Sequence, residues 1–365
     1  MKTIRYTAPF LLIFLAFACA ESAKEIPRTP FAKVDVTILK KDSSSIRALD
    51  IVGEEVIYAG SNGKYGYFQF KGEVKSTGKE LINSIAKPND LGTVSFIESP
   101  VNFRSIAQNK THFFVMSIEN PALLYRINKK TKAVDLVYQE NHEMVFYDAM
   151  AFWNGNEAIA IGDPINGCLS IIISRDGGAN WKKMSCDQLP ASIDGEAAFA
   201  ASDTNIKIIG DKTWIVSGGG ASRVWYSSDR GKNWEIFETP IIQGEPTQGG
   251  YSMDFYDEQR GIIYGGDYTK PELNRGNIVA TMDGGKSWEL IGVGANQGYK
   301  SCVQYVPNTK GNGIVALGFT GISYSSDAGQ SWKHLSNEAF LSFRFVNDSI
   351  AIATGRNKVA QLLFK

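Results

Sequence analysis

An eight-residue pattern decides the fold, and it occurs four times: Ser174-Arg-Asp-Gly-Gly-Ala-Asn-Trp181, Ser227-Ser-Asp-Arg-Gly-Lys-Asn-Trp234, Thr281-Met-Asp-Gly-Gly-Lys-Ser-Trp288 and Ser325-Ser-Asp-Ala-Gly-Gln-Ser-Trp332. Each copy reads Ser/Thr-x-Asp-x-Gly-x-x-Trp. Successive copies begin 53, 54 and 44 residues apart, from positions 174, 227, 281 and 325. A repeat of this length indicates a propeller or a solenoid.

The pattern predicts a tight turn that joins two strands of a small antiparallel sheet. The Asp carboxylate is expected to accept hydrogen bonds from backbone N–H groups two and three residues further on. The Gly supplies a positive φ, and the Trp covers the hairpin with apolar surface. We therefore assign structural roles to Ser174, Asp176, Gly178, Trp181, Ser227, Asp229, Gly231, Trp234, Thr281, Asp283, Gly285, Trp288, Ser325, Asp327, Gly329 and Trp332.

Apolar runs of strand length surround these turns. Ala149–Trp153 and Ala158–Gly162, for example, precede the first copy, and similar pairs of runs recur without the pattern at 46–60, 103–117 and 343–355. Counting them predicts an all-β fold, a seven-bladed β-propeller of four-stranded antiparallel blades. The run Lys33–Leu39 has no local partner. We expect this N-terminal strand to complete the last blade and close the ring.

Composition and charge exclude several classes of protein. The 365 residues are 43% apolar and 12% aromatic, enough to bury a large core, which excludes intrinsic disorder. The 38 Lys and Arg balance 38 Asp and Glu, so no general field attracts nucleic acid or a membrane surface. The three His are scattered and no Cys-x-x-Cys or nucleotide-binding motif occurs. We predict neither a metal nor a cofactor.

Residues 1–18 have the features of a secretory signal. Lys2 and Arg5 precede an apolar run that is too short to span a bilayer. The ending Leu15-Ala-Phe-Ala-Cys19 resembles a bacterial lipobox, although Ala16 stands where Leu is usual, and ordinary cleavage at Ala18 or Ala20 is the alternative. We predict an exported, periplasmic or outer-membrane-anchored bacterial lipoprotein with lipidated Cys19, a linker over 19–32 and one propeller domain over 33–365. The lipid anchor would be its only membrane contact.

Two cysteines, Cys168 and Cys186, flank the first turn almost symmetrically. An antiparallel hairpin would bring them nearly opposite each other, and an oxidising compartment would then favour a disulfide. Two buried free thiols are the alternative, since free cysteine is often buried.

Charged and polar side chains stand at the start of the inner strand of each predicted blade. Because these positions are equivalent in the repeat, we expect them to surround the mouth of one central channel, where they suit a small polar or acidic ligand. Charges that merely pair with each other are the alternative. The residues are Arg47, Arg104, Asp148, Glu196, Ser252, Lys300 and Arg344.

Two loops on the same face are longer than a hairpin requires, at 162–167 and 265–276. Long loops are often functional. Asp163, Asp267, Tyr268 and Lys270 are therefore further binding candidates.

The repeated pattern resembles the Asp box, or BNR repeat, of sialidase-like propellers. That resemblance implies one candidate function, a glycoside hydrolase with three Arg on a substrate carboxylate, a Tyr nucleophile helped by a Glu, and an Asp acid/base. Arg47, Arg104 and Arg344 would supply the arginines, with Glu196, Asp148 and Tyr147 or Tyr299 nearby. The Arg-Ile-Pro signature of that family is missing before the first turn, which counts against this function.

The layout as a whole resembles the photosystem II stability/assembly factor group and its relatives in non-photosynthetic bacteria. This resemblance implies a non-enzymatic binding or scaffold protein of the cell envelope, with Arg47 and Arg104 at the binding face. Its partner would be an envelope protein or a small polar or acidic ligand, carbohydrate included, and not nucleic acid. We favour this function over the hydrolase.

Overall fold

The computed structural model describes residues 29–70, 88–96 and 99–365. The predicted signal, Cys19 and most of the predicted linker lie outside the described residues. Strands dominate, and one short 3₁₀ helix spans Cys186–Gln188. In the described ranges, no helix has the length and apolar character needed to span a membrane.

The first half of the described chain forms fifteen strands. They are β1 Val34–Val52, β2 Glu55–Gly60, β3 Lys64–Gln69, β4 Asn89–Thr93, β5 Ser95–Phe96, β6 Ser99–Pro100, β7 Phe103–Gln108, β8 His112–Ser117, β9 Ala122–Asn128, β10 Val134–Glu140, β11 Tyr147–Phe152, β12 Ala158–Ile165, β13 Cys168–Ser174, β14 Lys182–Lys183 and β15 Glu196–Ala197.

A further fifteen strands follow. They are β16 Ile206–Ile209, β17 Lys212–Val216, β18 Gly218–Gly219, β19 Arg223–Ser227, β20 Glu235–Glu238, β21 Gln248–Phe255, β22 Gly261–Asp267, β23 Ile278–Thr281, β24 Glu289–Leu290, β25 Cys302–Tyr305, β26 Ile314–Gly318, β27 Gly321–Ser325, β28 Lys333–Ser336, β29 Ser342–Phe345 and β30 Ile350–Phe364.

Antiparallel pairing groups these strands into six large sheets and the small pair β5–β6. Sheet 1 has the order β29-β30-β1-β2-β3-β4, sheet 2 β10-β9-β8-β7, sheet 3 β11-β12-β13-β14 and sheet 4 β16-β17-β19-β20. Sheet 5 has the order β15-β18-β21-β22-β23-β24, and sheet 6 β25-β26-β27-β28. The described part of the chain therefore forms six large sheets, where seven blades were predicted.

The long strands β1 and β30 explain the difference. The first half of β1 pairs with β30, from Val34 opposite Phe364 to Ser45 opposite Arg356, and its second half pairs with β2. The first half of β30 in turn pairs with β29. Sheet 1 thus joins the first and last repeats of the sequence into one hydrogen-bonded unit.

Successive sheets pack face to face through buried apolar side chains. On β12, Ile159 and Ile161 face a cluster that includes Trp225 of sheet 4, whereas Ala158 and Ala160 face a cluster that includes Phe114 of sheet 2. Alternate side chains of a strand point to opposite faces, so a strand buried on both faces is apolar throughout. The central strands of the repeats are continuous apolar runs for this reason.

These clusters continue around the molecule. They join sheet 4 to sheet 5 through Trp214, sheet 5 to sheet 6 through Tyr264, and sheet 6 to sheet 1 through Phe343. A further cluster holds Tyr58 of β2 against Ile352 of β30, both in sheet 1. Sheet 1 therefore folds so that its two halves face each other.

The first three repeated turns share one set of hydrogen bonds, and the fourth differs in that the Gln330 N–H donates to the Asp327 carbonyl rather than to its carboxylate. In the first copy, Asp176 Oδ1 accepts from Ser174 Oγ at 2.9 Å and from the backbone N–H groups of Ala179 and Asn180 at 3.0 and 2.9 Å. The Trp181 indole donates to the Gly178 carbonyl at 3.2 Å. The N–H donors lie three and four residues after the Asp, not two and three as predicted, because the turn includes one more residue than a simple Asx turn.

Glycine is required in this turn for two reasons. Gly178 has a φ of +82°, a region that L side chains rarely adopt. A Cβ at this position would also lie 2.3 Å from the Phe114 ring. The turn is therefore packed against the neighbouring sheet 2, which agrees with a structural role for this part of the repeat.

Candidate functional site

A cavity of about 880 Å³ opens at one end of the molecule, where the inner strands begin. We call it the upper cavity. Its charged lining residues are Arg47, Arg104, Asp163 and Arg356. Its aromatic lining residues are Phe146, Phe199, Tyr251, Tyr268, Tyr299 and Phe319.

Residues 198–205 connect β15 to β16, and the first four of them line the upper cavity. We call residues 198–205 the axial segment. Its carbonyl and hydroxyl groups bond to inner strands of several sheets: Ala201 to Arg47, Ala200 to Arg104, Ser202 to Ser301 and Ser342, and Thr204 to Ser252 and Met253. Such a segment lacks a regular strand pattern, and sequence reasoning did not predict it.

Asp203 anchors the axial segment. Its carboxylate accepts from the backbone N–H groups of Ile106 on β7 and Met150 on β11, at 3.0 and 3.2 Å. Arg344 donates to the Asp203 carbonyl at 2.9 Å from the other side. The segment is thereby fixed between strands that are distant in sequence.

Three guanidinium groups converge on the upper cavity. Arg47 Nη1 and Arg104 Nη1 each donate to a carbonyl of the axial segment at 3.1 Å, and exposed Arg356 stands at the rim. Burial, together with the charges of Arg104 and Arg356, lowers the pKa of Arg47 to about 10. Within the described residues, no carboxylate oxygen lies within 4.0 Å of these three side chains. The charged groups that line the cavity are thus three arginines and one aspartate, a positive excess that suits an anion.

Two carboxyl groups lie on the Arg104 side of the cavity. Asp163 lines it and accepts from the Ala198 N–H at 2.8 Å. Burial raises the pKa of Asp163 to about 6. Asp148 is wholly buried, and burial followed by the charge of Asp163 raises the pKa of Asp148 well above its usual value.

Aromatic rings also line the cavity. Phe199 and Tyr251 stack with centroids 4.1 Å apart, and Tyr299 meets Tyr251 edge-on at 4.9 Å. Tyr268 and Phe319 leave 46% and 47% of their surface exposed at the rim. Exposed rings beside a charged cavity suit an apolar group attached to an anion.

The structure brings together part of the predicted set. Arg47, Arg104, Asp163 and Tyr268 line the upper cavity, and Asp148 lies beneath it. Ser252 bonds to the axial segment. Lys270 lies in the loop 265–276. Asp267 is buried in the same loop, where its carboxylate accepts from the Thr269 N–H at 2.9 Å.

Three predicted residues lie elsewhere, which corrects the expectation of one shared mouth. Glu196 belongs to β15, an added strand of sheet 5, because the inner strand of the fourth repeat begins later, at Ile206. Lys300 precedes β25 and donates to Thr320 at 2.7 Å, and burial lowers its pKa to about 8. Arg344 lines a cavity of about 260 Å³ at the other end of the axial segment.

Glu196 is held in a buried network. It accepts from Arg223 Nη2 at 2.5 Å, Ser217 Oγ at 2.6 Å and the Trp225 indole at 3.1 Å. Both charged side chains are at least 92% buried, with exposures of 0% and 8%. This glutamate fixes the loop that leads into the axial segment.

Arg356, absent from the predicted set, is the third arginine of the cavity. It follows Gly355, just as Asp163 follows Gly162 and Phe319 follows Gly318. All three line the upper cavity. In the sequence, the second apolar run of a repeat ends in glycine, and the residue after that glycine could have been predicted to line the cavity.

Cys168 and Cys186 are disulfide-bonded, with Cα atoms 5.5 Å apart, and Cys302 is a buried free cysteine. The bond ties the start of β13 to the 3₁₀ helix. Across residues 29–70, 88–96 and 99–365, no three His, Cys, Asp or Glu side chains are grouped to hold a metal ion.

The catalytic set of a sialidase-like hydrolase is only partly assembled. Burial raises the pKa of Tyr299 and Tyr251 above the usual value, which keeps these phenols neutral. Tyr147 does donate to Glu140 at 2.8 Å, but it is wholly buried and outside the cavity lining. The upper cavity thus has arginines for an anion without an activated tyrosine.

No family model matches this chain, and no curated protein matches it. Solved structures do. A structure described as "YCF48 bound to D1 peptide" is 12% identical, with a TM-score of 0.62 over 93% of this chain and 99% of that chain. YCF48 from Cyanidioschyzon merolae is 12% identical, with a TM-score of 0.60 over 91% and 99%. The RRP9 WD40 repeats are 11% identical, with a TM-score of 0.59 over 93% and 99%. The chain is therefore an all-β propeller of four-stranded antiparallel blades.

Proposed function

We propose that this protein is a non-enzymatic binding propeller whose upper cavity takes an anionic segment of a protein partner. The observation that carries the proposal is the convergence of Arg47, Arg104 and Arg356 on one cavity without carboxylate partners in the described residues. A buried carboxylate needs charged, hydrogen-bonded partners, and guanidinium groups supply both.

The aromatic lining adds the second half of the binding chemistry. A peptide that ends in a carboxylate next to an apolar side chain would place the charge on the arginines and the side chain against Tyr268 and Phe319. The YCF48 structure that resembles this fold is described with a bound peptide, which supports a peptide ligand here.

The test compares matched peptides. We expect hexapeptides with a C-terminal Phe-Leu and a free carboxylate to bind, and the same peptides with a C-terminal amide to bind at least tenfold more weakly. The double variant Arg47→Gln/Arg356→Gln should lose about 100-fold in affinity, since a hydrogen bond to a charged group contributes about 1.5–3 kcal/mol. Fluorescence polarisation of labelled peptides measures the affinities in both comparisons.

Arg175→Gln is the control, because Arg175 lies in the first repeated turn and outside the cavity lining. Equal affinity for the acid and amide peptides would contradict the proposal. Wild-type affinity of the double variant for the acid peptides would contradict it as well. Hydrolysis of a fluorogenic sialoside that is lost in Asp163→Asn would instead support the hydrolase.

We further propose that the protein is an exported envelope lipoprotein, with a signal over 1–18, lipid on Cys19, a linker over 19–32 and one domain over 33–365. The Cys168–Cys186 disulfide supports export, because disulfides persist in oxidising compartments. Mass spectrometry of the mature N-terminus tests it. An unmodified N-terminus after Ala18 or Ala20 would contradict the lipid anchor.

We also propose that the two halves of sheet 1 act as two blades, which gives seven repeat units, and that residues 34–41 close the ring. The pairing of Val34 with Phe364 and the packing of Val34 and Val36 against the Phe343 cluster support this. If so, the β1 amides bonded to β30 should exchange with deuterium only on global unfolding. Rapid exchange there, with slow exchange in sheet 3, would contradict closure.

A further inference from the structure

A pair of buried carboxyl groups adjoins one of the three cavity arginines. Asp148 on β11 has no exposed surface, and the nearby Ala200 N–H only partly offsets the burial of its carboxyl group. Asp163 on the paired strand β12 lines the cavity, held by the Ala198 N–H. The Asp148 carboxyl group feels two charges, that of Asp163 and that of Arg104 on β7.

Few other charges face this group. Asp203 on the axial segment is engaged by the backbone N–H groups of Ile106 and Met150. The other ionisable side chains near this group or in the cavity lining are Arg47 on β1, Glu119 after β8, Tyr147 on β11, Tyr251 on β21, Tyr268 after β22, Tyr299 before β25 and Arg356 on β30. Among the described residues, no histidine lines the cavity, and Asp163 is the one carboxylate that does.

We propose that the Asp148–Asp163 pair makes anion binding in the upper cavity depend on pH, because charged Asp163 shares the cavity lining with the three arginines and opposes their field, whereas protonated Asp163 does not. This inference rests on the proposed function, since it concerns the same cavity. It assigns to Asp163 a regulatory role rather than a direct contact with the anion.

The direction follows from the two carboxyl groups. Burial raises the pKa of Asp163 to about 6 and the pKa of Asp148 well above the usual value. At pH 7.5 Asp163 is therefore largely ionised, and at pH 5.0 it is largely neutral. The three arginines stay charged throughout, since even the lowered pKa of Arg47 is about 10. Anion affinity should rise as the pH falls through about 6.

The probe is 8-anilinonaphthalene-1-sulfonate, an aromatic anion whose sulfonate stays ionised over this range. Fluorescence titration of the mature chain at constant ionic strength should give a dissociation constant about tenfold lower at pH 5.0 than at pH 7.5, as expected when about one unit of pKa shift is coupled to binding. Asp163→Asn should bind at pH 7.5 as tightly as the wild type at pH 5.0, and with no pH dependence.

Asp187→Asn, at an exposed position on the 3₁₀ helix, is the matched control and should keep the wild-type pH dependence. Binding that is lost in Arg47→Gln/Arg356→Gln but does not vary with pH would overturn this inference and leave the proposed function standing. An unchanged pH dependence in Asp163→Asn would also overturn it. No binding at either pH would overturn the anion site itself, and this inference with it.

Discussion

Replacing Glu196 with alanine is expected to destabilise the protein by about 3–5 kcal/mol, because it leaves the buried guanidinium of Arg223 without its partner. The same change removes the acceptor for Ser217 Oγ and the Trp225 indole. The buried indole must then find water or remain unpaired, whereas Ser217 Oγ keeps the Arg223 carbonyl as an acceptor at 3.2 Å. The effect should far exceed that of a typical surface substitution.

Urea denaturation, monitored by tryptophan fluorescence, measures this loss of stability. We expect a lower denaturation midpoint for Glu196→Ala with an unchanged slope. Glu245→Ala, at an exposed glutamate, is the matched control and should shift stability by less than about 0.5 kcal/mol. The double variant Glu196→Leu/Arg223→Met should recover much of the loss, since apolar replacements of a buried ion pair are often neutral or stabilising. A wild-type midpoint for Glu196→Ala would show that the network contributes little.

Asp203→Ala is expected to cost about 3 kcal/mol. The change leaves the buried backbone N–H groups of Ile106 and Met150 without an acceptor, and each unpaired buried donor costs about 1–3 kcal/mol. It also frees the axial segment from β7 and β11. Because Ala200 and Ala201 accept from Arg104 and Arg47, the cavity arginines should lose their orientation as well.

Two measurements separate these effects. Urea denaturation gives the stability loss, and the affinity for the carboxylate hexapeptide should fall even at temperatures where the variant stays folded. Asp194→Ala, exposed in the loop before β15, is the control for both. Normal peptide affinity in folded Asp203→Ala protein would show that the segment does not position the arginines.

The repeated turns and most of the strands could be predicted because their causes are local. The Ser–Asp–Gly–Trp spacing fixes a hydrogen-bonded turn within eight residues, and apolar runs fix the central strands. The sheet count could not be read from the same pattern. It depends on β1 and β30 pairing across more than 300 residues, as in Val34 with Phe364, which no local signal encodes.

The site was predicted only in part, because only some of its residues occupy equivalent positions in the repeats. Arg47 and Arg104 occupy equivalent repeat positions and both reach the cavity. Glu196 was misplaced because the fourth repeat is interrupted by the axial segment, whose Ala-Ala-Ser-Asp-Thr stretch has neither helical nor strand periodicity. Its contacts with the six other repeats exist only in three dimensions.

Residues 198–205 run between the two cavities, with Ala201 lining one and Asp203 the other. The segment therefore separates them. A molecule that docks at the arginine end would leave by the same opening, and the two ends can consequently carry unrelated chemistry.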